Sequence, residues 1–313
     1  MSPKKKITLF LILTFSFSIL SIVPVILTGT GTILNTITLM WSPGLAAILT
    51  QLIAKRSLRD LGWRLGSARW LGIAYILPVI YAFPVYAITW LTGLGGFLNP
   101  YLFHASTRQY ASPDLSTAVA VFLLINLTKG MAIQLGLALG EEIGWRGLLV
   151  PELTKTNGFT KTALISGIIW ASWHMPLVFL AGYNGGTPLA YSAACFTVMI
   201  IAISFPFAWL RLKSGNLWTA ALLHASHNLF IQNVFDRLTD PTGISPYITG
   251  EFGIGLALTS LVVAYVFWRM QRDASLRTQP VQAQKTRFLD ESFAFNSLTS
   301  ASCQERRGKL LMS

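Results

Sequence analysis

Charge is scarce in this chain. Only 12% of its 313 residues are Asp, Glu, Lys or Arg, against about 25% in an ordinary soluble domain, and the shortage excludes a conventional water-facing surface. Cysteine is nearly absent: Cys195 lies in an apolar run and Cys303 far off in the C-terminal segment, which excludes a disulfide framework. No alanine precedes Ala46. The N-terminal Lys4–Lys6 and the apolar run behind them therefore lack an Ala-x-Ala cleavage site, and residues 7–28 are expected to remain as a first span. There is no His-Glu-x-x-His or His-x-x-Glu-His helix, no Gly-x-Ser-x-Gly elbow and no Gly-x4-Gly-Lys-Ser/Thr loop. The common zinc-protease, serine-hydrolase and phosphate-loop signatures are thereby set aside.

What is present is apolar: 53% of the residues are hydrophobic. Several runs of about 20 residues are long enough to cross a hydrocarbon layer about 30 Å thick. The expected fold is all-α, a polytopic membrane bundle of about eight transmembrane helices, at roughly 7–28, 33–54, 71–94, 115–139, 161–181, 188–210, 216–235 and 252–268. Thr28-Gly-Thr-Gly-Thr32 reads as the turn between the first two. Pro78 and Pro84 should kink the third. Residues 97–114 read as a polar loop with turn signals at Asn99-Pro100 and Ser112-Pro113, and the sequence from Asp273 onward as a basic, disordered tail.

The formal net charge is +12, which could point to nucleic acid. Its distribution points elsewhere. With eight spans and an inner N-terminus, every Lys and Arg except Arg108, Lys129 and Arg237 falls on the inner side. That asymmetry is the positive-inside rule. Orientation and contact with anionic lipid headgroups explain the excess, and no nucleic-acid partner is needed. The expected location is a cell membrane, multi-pass, with both termini cytoplasmic. The stretch Lys55–Trp70 alternates arginines with leucines and tryptophans, and reads equally as a short interfacial helix or as a basic loop.

Against this background three polar constellations are costly and so invite a functional reading. Glu141 and Glu142 end a long apolar stretch. Glu142 and Arg146 are four apart and can pair on one helix face, while Glu141, rotated about 100°, projects elsewhere and is free for chemistry. His174 lies about 20 Å into its span. His224, His227 and Asn228 share one stripe of the seventh span. Interhelical hydrogen bonding could account for any one of these, but not readily for all three. If the fourth helix continues to about Leu153, they can meet in one cavity in the cytoplasmic half of the membrane. Gly140, Gly144 and Gly147 are spaced for a close helix approach.

Glu141-Glu142-x-x-x-Arg146, Trp170-x-x-x-His174 and His224-x-x-x-Asn228, in that order on successive helices, resemble the motifs of the CAAX prenyl protease and bacteriocin-processing (abortive-infection) membrane protein family. The second motif of that family often begins with Phe, and Trp170 departs from it. The resemblance covers roughly 115–235. It implies a catalytic core there and the general eight-span build, and the apolar pattern adds N-terminal helices at 1–114 with their basic loop, a last span at 236–270 and a basic tail at 271–313. The resemblance further implies a glutamate-dependent intramembrane endopeptidase. Glu141 would activate water, His174 would help to hold it, His224 and Asn228 would donate to the oxyanion, and Glu142 and Arg146 would support the site. Glu141, His174 and His224 could alternatively ligate zinc, although no compact ligand motif is present. His227 matches no motif position and reads as packing or as a neighbour that orients another residue. The implied partners are a prenylated or other membrane-associated peptide and lipid. A bacteriocin self-immunity or scaffold protein of the same fold and a proton-coupled transporter are the competing readings, the latter without clear internal repeats. Charge sidedness makes a direct prediction: a cysteine placed at Leu65 in the otherwise intact protein is labelled by impermeant maleimide only after the inner face is exposed, and labelling in sealed cells would reverse the topology.

Overall fold

The computed structural model describes residues 1–99 and 114–274. It divides into a unit of residues 1–267 and a second beginning at Trp268, whose described part, 268–274, is helical. The turn signals at Pro100, Ser112 and Pro113, the basic segment beyond Ala274 and Cys303 lie outside the described residues. Among the described residues eight long helices follow the expected order. They are α1 (Pro3–Thr28), α2 (Ile33–Ile53), α3 (Ala68–Leu91), α4 (Leu115–Thr154), α5 (Phe159–Leu180), α6 (Leu189–Ser214), α7 and α8 (Ile254–Ala274). α7 is α-helical over Trp218–His227 and runs on as a π-helical segment, Asn228–Phe235. All except α7 are long and apolar enough to cross a membrane. α7 falls short because its polar stripe dilutes its hydropathy, and it is instead enclosed by α3, α4 and α6. The chain is thus an all-α, multi-pass membrane bundle. Its β-structure among the described residues is one antiparallel pairing, Gly96–Phe97 with Thr239–Asp240.

Local signals set the ends of these helices. Gly29 closes α1 with φ +66°, a left-handed conformation that glycine adopts without penalty. Thr32 and Asn35 then cap α2 reciprocally. Asp114 accepts the Thr117 N–H at 2.8 Å and starts α4. α3 remains helical through both Pro78 and Pro84. The loop after α2 holds a single 3-10 turn, Leu58–Leu61, so the basic-loop reading applies. This loop is tied to the start of α7: the Leu217 N–H donates to the Gly62 carbonyl at 2.8 Å and the Trp218 indole to the Trp63 carbonyl at 2.9 Å.

The distribution of polarity is that of a protein solvated by lipid. Large aliphatic side chains stand bare on the outside, among them Leu20, Leu27, Leu91 and Val262. The charged groups Glu141, Glu142, Arg146, Glu152 and Lys6 are buried. Such an outer surface would aggregate in water and is ordinary in hydrocarbon, provided each buried charge finds a partner. Lys6 on α1, for instance, meets Glu152 near the end of α4 at 2.6 Å, and Lys155 meets it at 2.7 Å.

α4 is the element that positions the site. Its 40 residues span about 60 Å at about 1.5 Å per residue, and it contains π-helical segments at Asn126–Gly130 and Ile143–Leu149. The continuation past Leu139 to near Leu153, on which a common site depended, is therefore present. Glycines let α2 approach it closely. A Cβ on Gly140 would stand 2.8 Å from the Met40 carbonyl oxygen, and one on Gly144 only 2.6 Å from Pro43 Cβ. Gly144→Val should therefore force these helices apart at a cost of about 1–3 kcal/mol, read as a lowered unfolding midpoint of the detergent-solubilised protein. An unchanged midpoint would show the contact to be dispensable.

Candidate active site

The adjacent glutamates separate, as the 100° step between helix neighbours requires. Glu142 is fully buried, and its Oε1 accepts from Arg146 Nη1 at 2.8 Å and from His224 Nδ1 at 2.9 Å. The expected Glu142–Arg146 pair thus exists, and it also reaches across to α7. The Arg146 guanidinium lies between two rings, 4.2 Å from the Trp170 centroid and 4.1 Å from that of Phe207. Its Nε and second terminal nitrogen make no hydrogen bond to protein. The aromatic faces supply electrostatic stabilisation in their place. The backbone is pinned as well, because Arg211 Nε donates to the Arg146 carbonyl at 2.8 Å.

Glu141 turns the other way. Its Oε2 accepts from the indole N–H of Trp145 at 3.1 Å and from that of Trp170 at 2.9 Å. Its neighbours in space are the two histidines predicted from the motifs. His174 Nδ1 lies 3.0 Å from the Trp170 carbonyl. A carbonyl can only accept, so Nδ1 carries the proton and Nε2 is left with the lone pair. His224 is oriented in the same sense by Glu142, with Nδ1–H on the carboxylate. A neutral His224 therefore presents an acceptor at Nε2, and only its imidazolium form can donate there. Asn228 Nδ2 donates to Gln134 Oε1 on α4 at 3.4 Å.

Glu141, His174, His224 and Asn228 all line one cavity of about 280 Å³. The remaining wall is largely aliphatic and aromatic, with Leu39, Met40, Leu177, Phe196, Ile200 and Phe207 among its members. Ile203, Phe207 and His224 line the cavity in α6 and α7, with His224 about 9 Å along its helix from Trp218. Ser21, Val25, Gly31 and Asn35 line it too, so it runs toward the α1–α2 turn. Along the helix axes Glu141 is about 20 Å short of the Thr154 end of α4, and Ser21 is about 27 Å from the start of α1.

Three groups at the site were not assigned from the sequence. Glu251, in the turn before α8, accepts from His227 Nε2 at 2.9 Å and from the Tyr183 hydroxyl at 2.7 Å. His227 Nδ1 bonds the Tyr81 hydroxyl. His227 is thus held between Tyr81 and Glu251. An acid flanked by Gly250 and Phe252-Gly253 at the mouth of an apolar run was the available signal. The indole donors of Trp145 and Trp170 were also missed, because tryptophan in an apolar run reads as packing.

The three residues expected as zinc ligands share the cavity. Nevertheless, among the described residues no three His, Cys, Asp or Glu side chains are grouped so as to hold a metal ion, and one oxygen of Glu141 is turned onto two N–H donors. The arrangement does not fit a bound metal.

Comparison with known proteins converges on the same stretch of chain. Residues 117–230 match the family described as type II CAAX prenyl endopeptidase, Rce1-like. A curated relative, CAAX prenyl protease 2 of Methanococcus maripaludis, is 28% identical over 93 residues, which is 28% of this chain and 34% of that protein. The match thus spans about a third of the relative's length. The family suggested by the three motifs is the one that matches, and the matched segment carries all of them.

The buried three-way bond gives a stability prediction. Arg146→Met removes the permanent cation from buried Glu142, leaving the His224 Nδ1–H on its carboxylate, and should cost about 3–5 kcal/mol. Glu142→Gln combined with Arg146→Met should recover part of that loss, measured as unfolding midpoints in a double-mutant cycle. Additive losses would show that the two side chains do not act as a pair.

Proposed function

We propose that this chain is an intramembrane endopeptidase that hydrolyses peptide bonds of prenylated or other membrane-associated peptides, with Glu141 as the base that activates water. The single observation that carries this reading is the disposition of Glu141. One carboxylate oxygen is held by two indole donors, and the side chain faces a largely apolar cavity shared with His174, His224 and Asn228. Water is a weak nucleophile and needs a positioned base within hydrogen-bond reach. A cavity that excludes bulk water strengthens every polar contact made inside it.

In this mechanism Glu141 accepts a proton as the water oxygen attacks the scissile carbonyl carbon. Neutral His174, with its lone pair on Nε2, accepts the water's other hydrogen and aligns it. Negative charge then develops on the carbonyl oxygen of the tetrahedral intermediate. His224, with Nδ1–H on the carboxylate of Glu142, donates to that oxygen from Nε2 in its imidazolium form, and the Asn228 amide is the second donor. Collapse of the intermediate breaks the C–N bond, and the proton taken by Glu141 passes to the departing amine. The aliphatic and aromatic wall suits the apolar part of a membrane-borne substrate, whether an isoprenyl chain or hydrophobic side chains. The charge asymmetry supports an orientation with both termini on the cytoplasmic side.

The test is cleavage of a farnesylated Cys-a-a-X peptide and of its unprenylated counterpart by purified protein. Wild type should cut at least one of them. Glu141→Ala should lower the rate at least about a thousandfold, as expected for loss of a base together with the water it holds, and a chelator should leave wild-type turnover unchanged. Equal turnover by wild type and variant would reject the assignment, and loss on chelation with rescue by zinc would replace it with a metal mechanism. Proton-coupled uptake without cleavage would favour a transporter.

A further inference from the structure

We propose that the indole N–H groups of Trp145 and Trp170 are the positioning device for Glu141, fixing one carboxylate oxygen so that the other is dedicated to water. The inference rests on the reading of Glu141 as the base.

A glutamate side chain has three rotatable torsions, and the last of them is broad. In a cavity walled mostly by hydrocarbon, little would otherwise select one orientation of the carboxylate. Here two donors converge on the same atom, Oε2, at 3.1 and 2.9 Å. They arrive from different directions. Trp145 reaches back from the π-helical part of α4, and Trp170 reaches across from α5. Two bonds from separate helices determine both the reach and the twist of the carboxylate, whereas one would leave rotation about itself.

The chemistry of the donor matters as much as its place. An indole N–H donates only, has no accepting atom, and is uncharged. It holds a carboxylate without forming an ion pair with it. A Lys or Arg in the same place would engage the carboxylate as a salt bridge, as Arg146 does with Glu142. The two neighbouring acids are thus held by two kinds of partner, a cation for the structural one and neutral donors for the reactive one.

Both indoles are themselves locked. Trp145 meets Phe10 and Trp173 edge-on at centroid distances of 5.7 and 5.8 Å. Trp170 carries the Arg146 guanidinium on its face and touches Phe207 and His224 at 5.3 Å each. Trp170 also offers its carbonyl to His174 Nδ1. One residue therefore orients both Glu141 and His174. A Phe at position 170 would keep the ring contacts and the carbonyl but not the N–H, so the departure of this chain from the more common motif residue supplies a donor that Phe lacks.

The experiment compares wild type, Trp145→Phe, Trp170→Phe, the double variant and Glu141→Gln in the purified full-length protein, with a farnesylated Cys-a-a-X peptide. A further variant carries 3-benzothienylalanine at position 170, an isostere of tryptophan without the N–H. Each single change should lower kcat about tenfold and the double change about a hundredfold or more, with KM within about twofold of wild type. The isostere should behave as Trp170→Phe does, whatever the effect of Phe on packing. A double variant or an isostere with wild-type kcat would overturn the positioning role. The two readings fail separately. An active Glu141→Gln protein removes the base itself, while an inactive one alongside a fully active double variant removes only the positioning. A readout independent of substrate is the NMR spectrum of protein labelled with 15N in tryptophan: Glu141→Gln should shift two indole N–H resonances, and an unchanged spectrum would contradict the bonds.

Discussion

Glu142 accepts from Arg146 and from His224 through one oxygen, and the rest of the site depends on that shared bond. It joins α4 to α7 in a region where an unpaired carboxylate would cost several kcal/mol. The pairing fixes the rotation of α4 at residue 142, and because helix neighbours stand about 100° apart, it also fixes where Glu141 points. His224 is set by the same oxygen, so its ring can turn only one nitrogen into the cavity. The guanidinium that neutralises Glu142 is in turn held between Trp170 and Phe207, and Trp170 is one of the two donors to Glu141. A structural ion pair and a reactive carboxylate thus share a wall and stay chemically separate.

Much of this was legible in the sequence, for reasons that can be stated residue by residue. Apolar runs of about 20 residues mark the helices because lipid tolerates few alternatives, and the observed bounds of α1, α2, α3, α5 and α6 fall within a few residues of those expected. The four-residue spacing of Glu142 and Arg146 translated directly into contact. The glycines at 140 and 144 marked a close approach, because no other residue leaves room for the backbone of α2. The joint exposure of Glu141, His174, His224 and Asn228 to one cavity followed from the cost of leaving any of them against lipid.

What was not legible has physical causes too. The π-helical segments of α4 and α7 break the 3.6-residue period on which helix reading relies. The extent of α4 beyond Leu139 was therefore an open condition. Tryptophan carries a hydrogen-bond donor on a large apolar body, and in an apolar run only the body is visible. Glu251 is distant in sequence from His227 in its role, outside every motif and in a turn, so its partnership is purely tertiary. The segment that matches known family members ends at residue 230; Glu251, Tyr81 and the α1–α2 lining of the cavity come from outside it, and give the site features that the three motifs do not encode.

The central claim is a division of labour between two adjacent glutamates, and it is tested most directly by comparing Glu141→Gln with Glu142→Gln for both turnover and unfolding midpoint. Glu141→Gln should abolish turnover while melting close to wild type. Glu142→Gln should melt clearly lower, because it weakens a buried bond shared by two helices. A Glu141→Gln protein that turns over normally, or one destabilised as severely as Glu142→Gln, would contradict the account.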